Sequence, residues 1–508
     1  MNLQLLVDIG LFFIYVALFT LLVAWAWKFW MLYVNTEYEK KLKYSLLEIK
    51  LPREINKSPE ATEIFLRAVY DGGGLGSWLK ENWEGRIPSV SALEIVSLEG
   101  VIHFFVRAES KFRSRIEAAI YSQYPTVEIV EWTEDYVKRF PKIVHNGEEG
   151  YGFWGADWVL ARKGEVETGD EKLNKVFKVE YPADMYPIKT YVDWGLGKDP
   201  KEEYKHDPLT YVLETMGSIG KGEYFAYQIL IRDAAKWNNI YTIKKDGKEE
   251  KGKKISDLVK FEIEKYTKKW SFKKKGGTEI DEWGEIKGKT VKNDKGVEEF
   301  KAFSYVKDMA TPKPIPAGDR PEEAKRNLEL IQRKMNKPQV IAIFRTIYVA
   351  ENTDNITTRI PMLMAITRPF NEDAGFNTFK PDNIPDPFDY PWQNTAGRLV
   401  PWRKESLFGA YTGRGGFFSF IGGMSKKTKN TVDVAFYKKP SYVKKIYSVF
   451  HNVINHPFKP VRNYGGGMIL NLEELATLYH FPGEVAATPT LPRIDSVKSS
   501  SPANLPME

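Results

Sequence analysis

YSLLEIKL at Tyr44–Leu51, ALEIVS at Ala92–Ser97 and VIHFFVRA at Val101–Ala108 are short runs of strand-forming residues, and what separates them decides the fold. Between the first two, Ser58-Pro59-Glu60 opens a helical stretch to Tyr70, with Ser58 placed as N-cap and Pro59 in the first turn, where a missing N–H costs little. Gly72, Gly73 and Gly74 end it. Between the second and third runs lies only Leu98-Glu99-Gly100, which is hairpin spacing with a glycine in the turn. Lys111–Tyr121 then puts Phe112, Ile116, Ala119 and Ile120 on one helical face, and Val127–Trp132 supplies a closing strand. The order β-α-β-β-α-β is the split βαβ, ferredoxin-like plan, and it predicts an α+β domain over residues 35–136.

A related order follows over residues 137–440. Val176–Trp194 offers strand material, Asp207–Met216 a helix, Glu223–Arg232 and Gln339–Ala350 strands, Thr357–Arg368 a helix and Thr431–Tyr437 a distant last strand. The expectation is a second ferredoxin-like unit carrying a large insertion at 244–300. That insertion holds seventeen Lys against thirteen Asp plus Glu, a surplus of four positive charges. Lys268, Lys269, Lys273, Lys274 and Lys275 surround Trp270 and Phe272, a pattern that suits nucleic-acid phosphates or lipid headgroups and equally a solvated loop.

On the N-terminal side, Ile9–Trp27 (IGLFFIYVALFTLLVAWAW) is uncharged and gives about 28 Å of helix, enough for a hydrocarbon core of roughly 30 Å. Trp25, Trp27, Trp30 and Tyr33 gather at its end, where amphipathic rings favour the headgroup layer, and Lys28 can snorkel there. A cleaved signal peptide would need a basic start and a shorter apolar stretch, and neither is present. Asp8 precedes the span while Lys28, Lys40, Lys41 and Lys43 follow it, so the positive-inside rule places the body in the cytoplasm. Residues 1–34 are thus expected to be a single-pass membrane anchor.

Catalytic chemistry finds little foothold. The chain has no cysteine, which removes disulfides, thiolate metal sites and a cysteine nucleophile. Gly284-Glu285-Ile286-Lys287-Gly288-Lys289-Thr290 spaces its glycine and Gly-Lys pair by three residues where a phosphate loop needs four. Gly413-Arg414-Gly415-Gly416 lacks a following Gly-Lys-Ser/Thr and reads as a flexible turn. His451 and His456, five apart, miss the one-face spacing of a helical zinc pair. The aromatic stretch Phe388–Trp402 suits an extended segment packed on a domain surface, or a stacking platform. No cofactor and no enzymatic activity are expected.

Residues 441–508 change character. Met468–Gly483 (MILNLEELATLYHFPG) is apolar, with Asn471 as N-cap and Glu473 and Glu474 in the first turn, and a Pro- and Ser-rich tail ending Asn504-Leu505-Pro506 follows. This run resembles the segment just ahead of the motor domain in type IV secretion and conjugation-type ATPases. Ile64–Tyr70, Gly100–Ala108, Arg115–Glu128, Asp207-Pro208-Leu209 and Gly222-Glu223 look like a membrane-anchored family of unknown function found near such ATPases. The likeness reaches Glu508, about where a motor domain would begin, and no Walker motif lies upstream. It implies the non-motor module: a structural, docking component of a secretion-like machine whose partners are membrane lipid, a separate ATPase and further copies of itself. Leu475, Leu478 and Phe481, spaced three and three, are candidates to dock that ATPase or to pack back on the body. A membrane-tethered nucleic-acid-binding protein using the Lys-rich insertion is the alternative.

Overall fold

A computed structural model describes residues 3–52, 55, 57–70, 77–87, 89–141, 151–162, 182–196, 207–233, 316–320, 322–351, 353–371, 375–386, 399–415, 467–483 and 491–494, with short pieces between 241 and 314. Its first element is one continuous helix, α1 (Leu3–Lys41). Asp8–Trp27 within it has a mean hydropathy of 2.4 and is not buried against the rest of the chain, so α1 is long and apolar enough to cross a membrane.

Two residues after α1 the chain enters β1 (Tyr44–Pro52), followed by α2 (Pro59–Tyr70), a short α3 (Trp78–Asn82), β2 (Ser91–Leu98), β3 (Val101–Glu109), α4 (Arg113–Gln123) and β4 (Glu128–Trp132). Then come β5 (Gly152–Arg162), α5 (Pro208–Gly217), β6 (Glu223–Asp233), α6 (Glu322–Met335), β7 (Gln339–Ala350), α7 (Thr353–Ala365) and β8 (Asn377–Asp382). The described chain ends with α8 (Leu399–Thr412), β9 (Met468–Asn471), α9 (Leu472–Leu478) and β10 (Arg493–Ile494).

These ten strands form one sheet in the order β8-β5-β7-β6-β2-β3-β1-β10, with β9 added to β7 and β4 to β1. Every pairing is antiparallel except β1 with β10, where Leu51 and Pro52 run parallel to Arg493 and Ile494. The first four strands lie in the order β4-β1-β3-β2 and the next four in the order β8-β5-β7-β6. They meet where β2 pairs with β6, from Ser91↔Ile231 to Leu98↔Tyr224. The sheet therefore runs unbroken across residue 136, where the sequence suggested a boundary.

Two expected strands lie elsewhere. The first strand after residue 137 is β5, not Val176–Trp194: Pro182–Met185 forms a helical turn, residues 191–196 are turns, and 176–181 fall outside the described residues. Pro182 and Pro187 cannot donate to a ladder, so Met185, Tyr186, Ile188 and Tyr191 are buried as a wall rather than a strand. The strand after α7 is β8, a short and polar NTFKPD, while Thr431–Tyr437 lies outside the described residues.

The sheet is covered on both faces. Leu93, Ile95, Phe104, Phe225, Tyr227, Phe344 and Trp158 point to the face packed by α2, α4, α5, α7 and α9. Val96, Phe105, Phe153, Ala226, Ile347 and Val349 point to the other, where α8 brings Leu407 and Tyr411. Strands buried on both faces lose the alternation of apolar and polar positions, which is why β2, β6 and β7 read as near-continuous apolar runs.

Between β6 and β7 the excursion builds its own small sheets. Tyr241–Lys245 pairs with Lys248–Lys253, Ser271–Lys274 lies between Glu279–Asp281 and Tyr305–Met309, Gly288–Lys292 pairs with Glu298–Ala302, and Lys268–Lys269 pairs with Lys313–Pro314. Among the described residues none of these strands joins the ten-stranded sheet. The insertion is thus wider than 244–300.

Candidate functional site

Three constructions stand out, and each begins with residues whose chemistry conflicts with their surroundings. The first is the joint between α1 and the body. Past the apolar span, Met31, Val34 and Asn35 become buried. Trp30 donates its indole N–H to the carbonyl of Asn82 at 3.2 Å, and its ring lies 5.1 Å from that of Trp83. Gly85 makes the approach possible: a Cβ there would sit 2.3 Å from the Val34 carbonyl oxygen, and its φ of +70° favours glycine independently. Helix and body are therefore joined by direct packing rather than by a stalk.

The second is a polar row across the middle of the α8-covered face. Glu94, Gln228, Arg345 and Asp157 are direct cross-strand partners on β2, β6, β7 and β5. Gln228 donates to Glu94 at 2.7 Å, Arg345 to Gln228 at 3.3 Å and Arg345 to Asp157 at 2.6 Å, and Asn383 closes the row on Asp157 at 2.9 Å. Arg414, in the turn after α8 with φ 47°, grips Glu94 through two nitrogens at 2.9 and 3.0 Å and Asp135 at 2.6 and 3.1 Å. Burial alone would weaken that guanidinium, but Glu94 and Asp135 hold its pKa well above the ordinary range. Burial likewise opposes ionisation of Asp135, and the Arg414 contacts win, leaving its pKa low. Tyr136 and Tyr411 share a hydrogen bond at 3.0 Å beside the clamp.

The third is the seat of Met468–Gly483. Ile469 pairs with Ile341 of β7, and α9 opens on a reciprocal cap in which Asn471 accepts from the Glu474 N–H and Glu474 from the Asn471 N–H, both at 2.8 Å. Glu474 is fully buried, which raises its pKa. It also accepts from the Ile188 N–H at 2.9 Å and from Lys334, itself fully buried and bonded to the carbonyls of Tyr186 and Ile469 at 2.9 and 2.8 Å. Its neighbour Glu473 takes Arg333, Lys337 at 2.9 Å and the Thr190 hydroxyl at 2.5 Å. His480 faces acceptors from both ring nitrogens, the Ala476 carbonyl at 2.9 Å and Asp207 at 3.0 Å.

Leu475, Leu478 and Phe481 are spent inside this seat. They are 0%, 0% and 1% exposed; Phe481 stacks on Phe65 at 5.6 Å and meets Tyr124 at 4.9 Å. Helix α9 ends at Leu478, so Phe481 lies beyond it rather than on its face. In α1, Trp25 and Trp30 are partly covered and Trp27 is exposed, while Lys28 continues the helix with its side chain outside the described part. Lys268, Lys269, Lys273 and Lys274 lie in the insertion's short strands, with side chains outside the described part, and Lys275 lies outside the described residues altogether. The same holds for residues 284–287, His451, His456 and 388–398, and Gly288-Lys289-Thr290 is strand rather than a strand-to-helix loop.

The sequence reading missed α3 with Trp83, and it missed the row. For the row a signal existed, since each member is a charged or amide residue in the middle of an apolar run. An open cleft between Gly222, Glu223, Glu351 and Asn355 offers little chemistry, because Glu223 is already occupied by Tyr348 at 2.8 Å, Asn355 at 2.9 Å and Arg359 at 3.4 Å. Among the described residues no three His, Asp or Glu side chains are grouped to hold a metal. Comparison with protein-family models, with curated proteins and with solved structures finds no match to this chain.

Proposed function

We propose that this protein is a membrane-anchored, non-catalytic platform, a docking component of a secretion- or conjugation-like machine whose body lies in the cytoplasm. The observation that carries the platform reading is the joint. An apolar helix of membrane-spanning length passes without a break into a body that packs on its last turns. A rigid joint serves a part that must hold something at a set place over a membrane. The link to an ATPase rests on the resemblance of MILNLEELATLYHFPG, and its seating refines where the partner would bind. That run belongs to the core, so the docking element is assigned to the chain beyond Ile494. In support, β10 pairs with the last two residues of β1, at the end of that strand remote from α1.

The two sets of four strands, with α2 and α4 in one and α5 and α7 in the other, are read as two split βαβ units joined edge to edge. The pairing orders β4-β1-β3-β2 and β8-β5-β7-β6 support this reading.

The test is recovery of a hexameric P-loop ATPase of the secretion or DNA-translocation class, from the same cell, with the full chain purified in detergent. Recovery that is lost when residues 495–508 are removed supports the proposal; a full chain that recovers no such ATPase overturns it. A reporter fused after Glu508 should report cytoplasm, and an extracytoplasmic signal would end the orientation. For the insertion, one observation favours lipid over nucleic acid. Asp233 pairs with Val340 and Ile231 with Ser91, so the excursion leaves and re-enters the sheet at the end where α1 joins. Salt-sensitive retention of DNA by the body would reverse that preference.

A further inference from the structure

We infer that α3 and the turn after it form a second, interfacial contact with the lipid headgroup layer, through Leu79 and Trp83, which fixes the body's orientation on the membrane. The inference rests on the reading of α1 as a membrane anchor.

Leu79 and Trp83 are each 62% exposed, and Tyr33, whose ring lies 6.3 Å from that of Trp30, is 60% exposed. Their height above the membrane follows from helix geometry. The apolar span ends at Trp27. Trp30, three residues on, lies about 4.5 Å further along the axis, and the headgroup layer is roughly 5–7 Å thick on each side of the hydrocarbon. The Trp83 ring lies against that of Trp30, tilted to it by 48°, and the Asn82 carbonyl is held by the Trp30 indole N–H, so the end of α3 sits at headgroup depth. Trp30, Tyr33 and Trp83 then make one aromatic belt built from two parts of the chain.

The occupant is lipid rather than a protein partner because the patch is continuous with the bare span. Met31, about 6 Å beyond Trp27 along the helix, is already covered by the body, which leaves little room for anything else. Lys80 and Arg86 balance Glu81 and Glu84 in sequence, so the contact is apolar and amphipathic rather than electrostatic. It should therefore form on neutral and anionic bilayers alike.

Because the chain has no cysteine, single-cysteine variants can carry an environment-sensitive dye at chosen sites. The full-length chain is reconstituted into phosphatidylcholine vesicles containing spin-labelled lipids with shallow or deep quenchers. Leu79→Cys should give blue-shifted emission lost mainly to the shallow quencher. Phe19→Cys in the span should be lost mainly to the deep one, and Tyr211→Cys on α5 to neither. A Leu79 label in water beside a deeply quenched Phe19 label overturns the inference and leaves the anchor standing, whereas an unquenched Phe19 label overturns both.

Discussion

A carboxylate in the middle of an apolar strand is costly unless its partner is certain, and Glu94 shows how certainty is arranged. Register alone delivers Gln228, because the two are direct neighbours across β2 and β6, while Arg414 arrives from a turn more than three hundred residues away. Removing one partner of a buried pair typically costs about 3–5 kcal/mol, since the other charge is stranded out of water. Arg414→Met should therefore lower stability by that order in denaturant unfolding, and Glu94→Gln placed on top of it should restore part of the loss. Additive losses would show that the clamp is not a coupled unit. His480 makes a pH-dependent contribution. Burial would lower its pKa, but Asp207 and the surrounding carbonyls raise it above the free value, because both ring nitrogens must donate. A raised folded pKa means that the stabilisation is complete below about pH 6.5 and fades as pH climbs through the folded value. His480→Gln should then cost more at about pH 6 than at about pH 9, and an equal cost at both would show a neutral ring. The sequence displays Glu94, Gln228, Arg345 and Asp157 as polar interruptions. It hides their alignment, which only the pairing of strands far apart in the chain creates.

Elements were legible in proportion to how much their own residues determine them. Helix α5 carries its cap in Asp207, which accepts from the Leu209 N–H at 2.8 Å, with Pro208 in the first turn, and α9 carries its reciprocal Asn471 and Glu474 cap. Both were read as helices, α9 through its cap. Strand β5, GFWGADWVLAR, was not legible, because two glycines and an aspartate break its pattern, and their reasons lie across the sheet: Gly155 faces Leu407 of α8, and Asp157 faces Arg345. Helix α3 is five residues long and leaves no periodic trace. Its importance comes from what it touches, and the sharpest point of that contact is Gly85. Any side chain there collides with the Val34 carbonyl and also needs a positive φ. Gly85→Val should release α1 from the body while leaving the sheet folded, read as new proteolytic cleavage between Asn35 and Lys43 with unchanged circular dichroism. Protection of that segment in the variant would mean that the joint is held elsewhere.

For the molecule as a whole, the long excursion between β6 and β7 is the least legible region and the easiest to remove. Its outer part begins and ends at the same place, because Lys269 pairs with Lys313 and Lys268 with Pro314. Its inner part is not dispensable: Val259 is buried against Met185, Tyr186, Leu330, Ile331, Phe376 and Ile469, so a cut at residue 244, where the sequence suggested the insertion starts, would open the core. Excising residues 268–314 and closing the gap with a few glycines removes three of the four small sheets, leaving the Tyr241–Lys253 pair, and takes all five lysines of the basic cluster, yet touches no strand of the ten-stranded sheet. Loop closure depends only weakly on length, so the shortened chain should unfold at nearly the same denaturant midpoint as the full one. Excision of 244–314 should be markedly less stable than excision of 268–314, because it takes Val259 with it. The pair of variants separates a surface appendage from a structural element. A large loss in the shorter excision would mean that the lysine-rich lobe is part of the body, and the basic cluster would then have a structural reason to exist before any ligand is invoked.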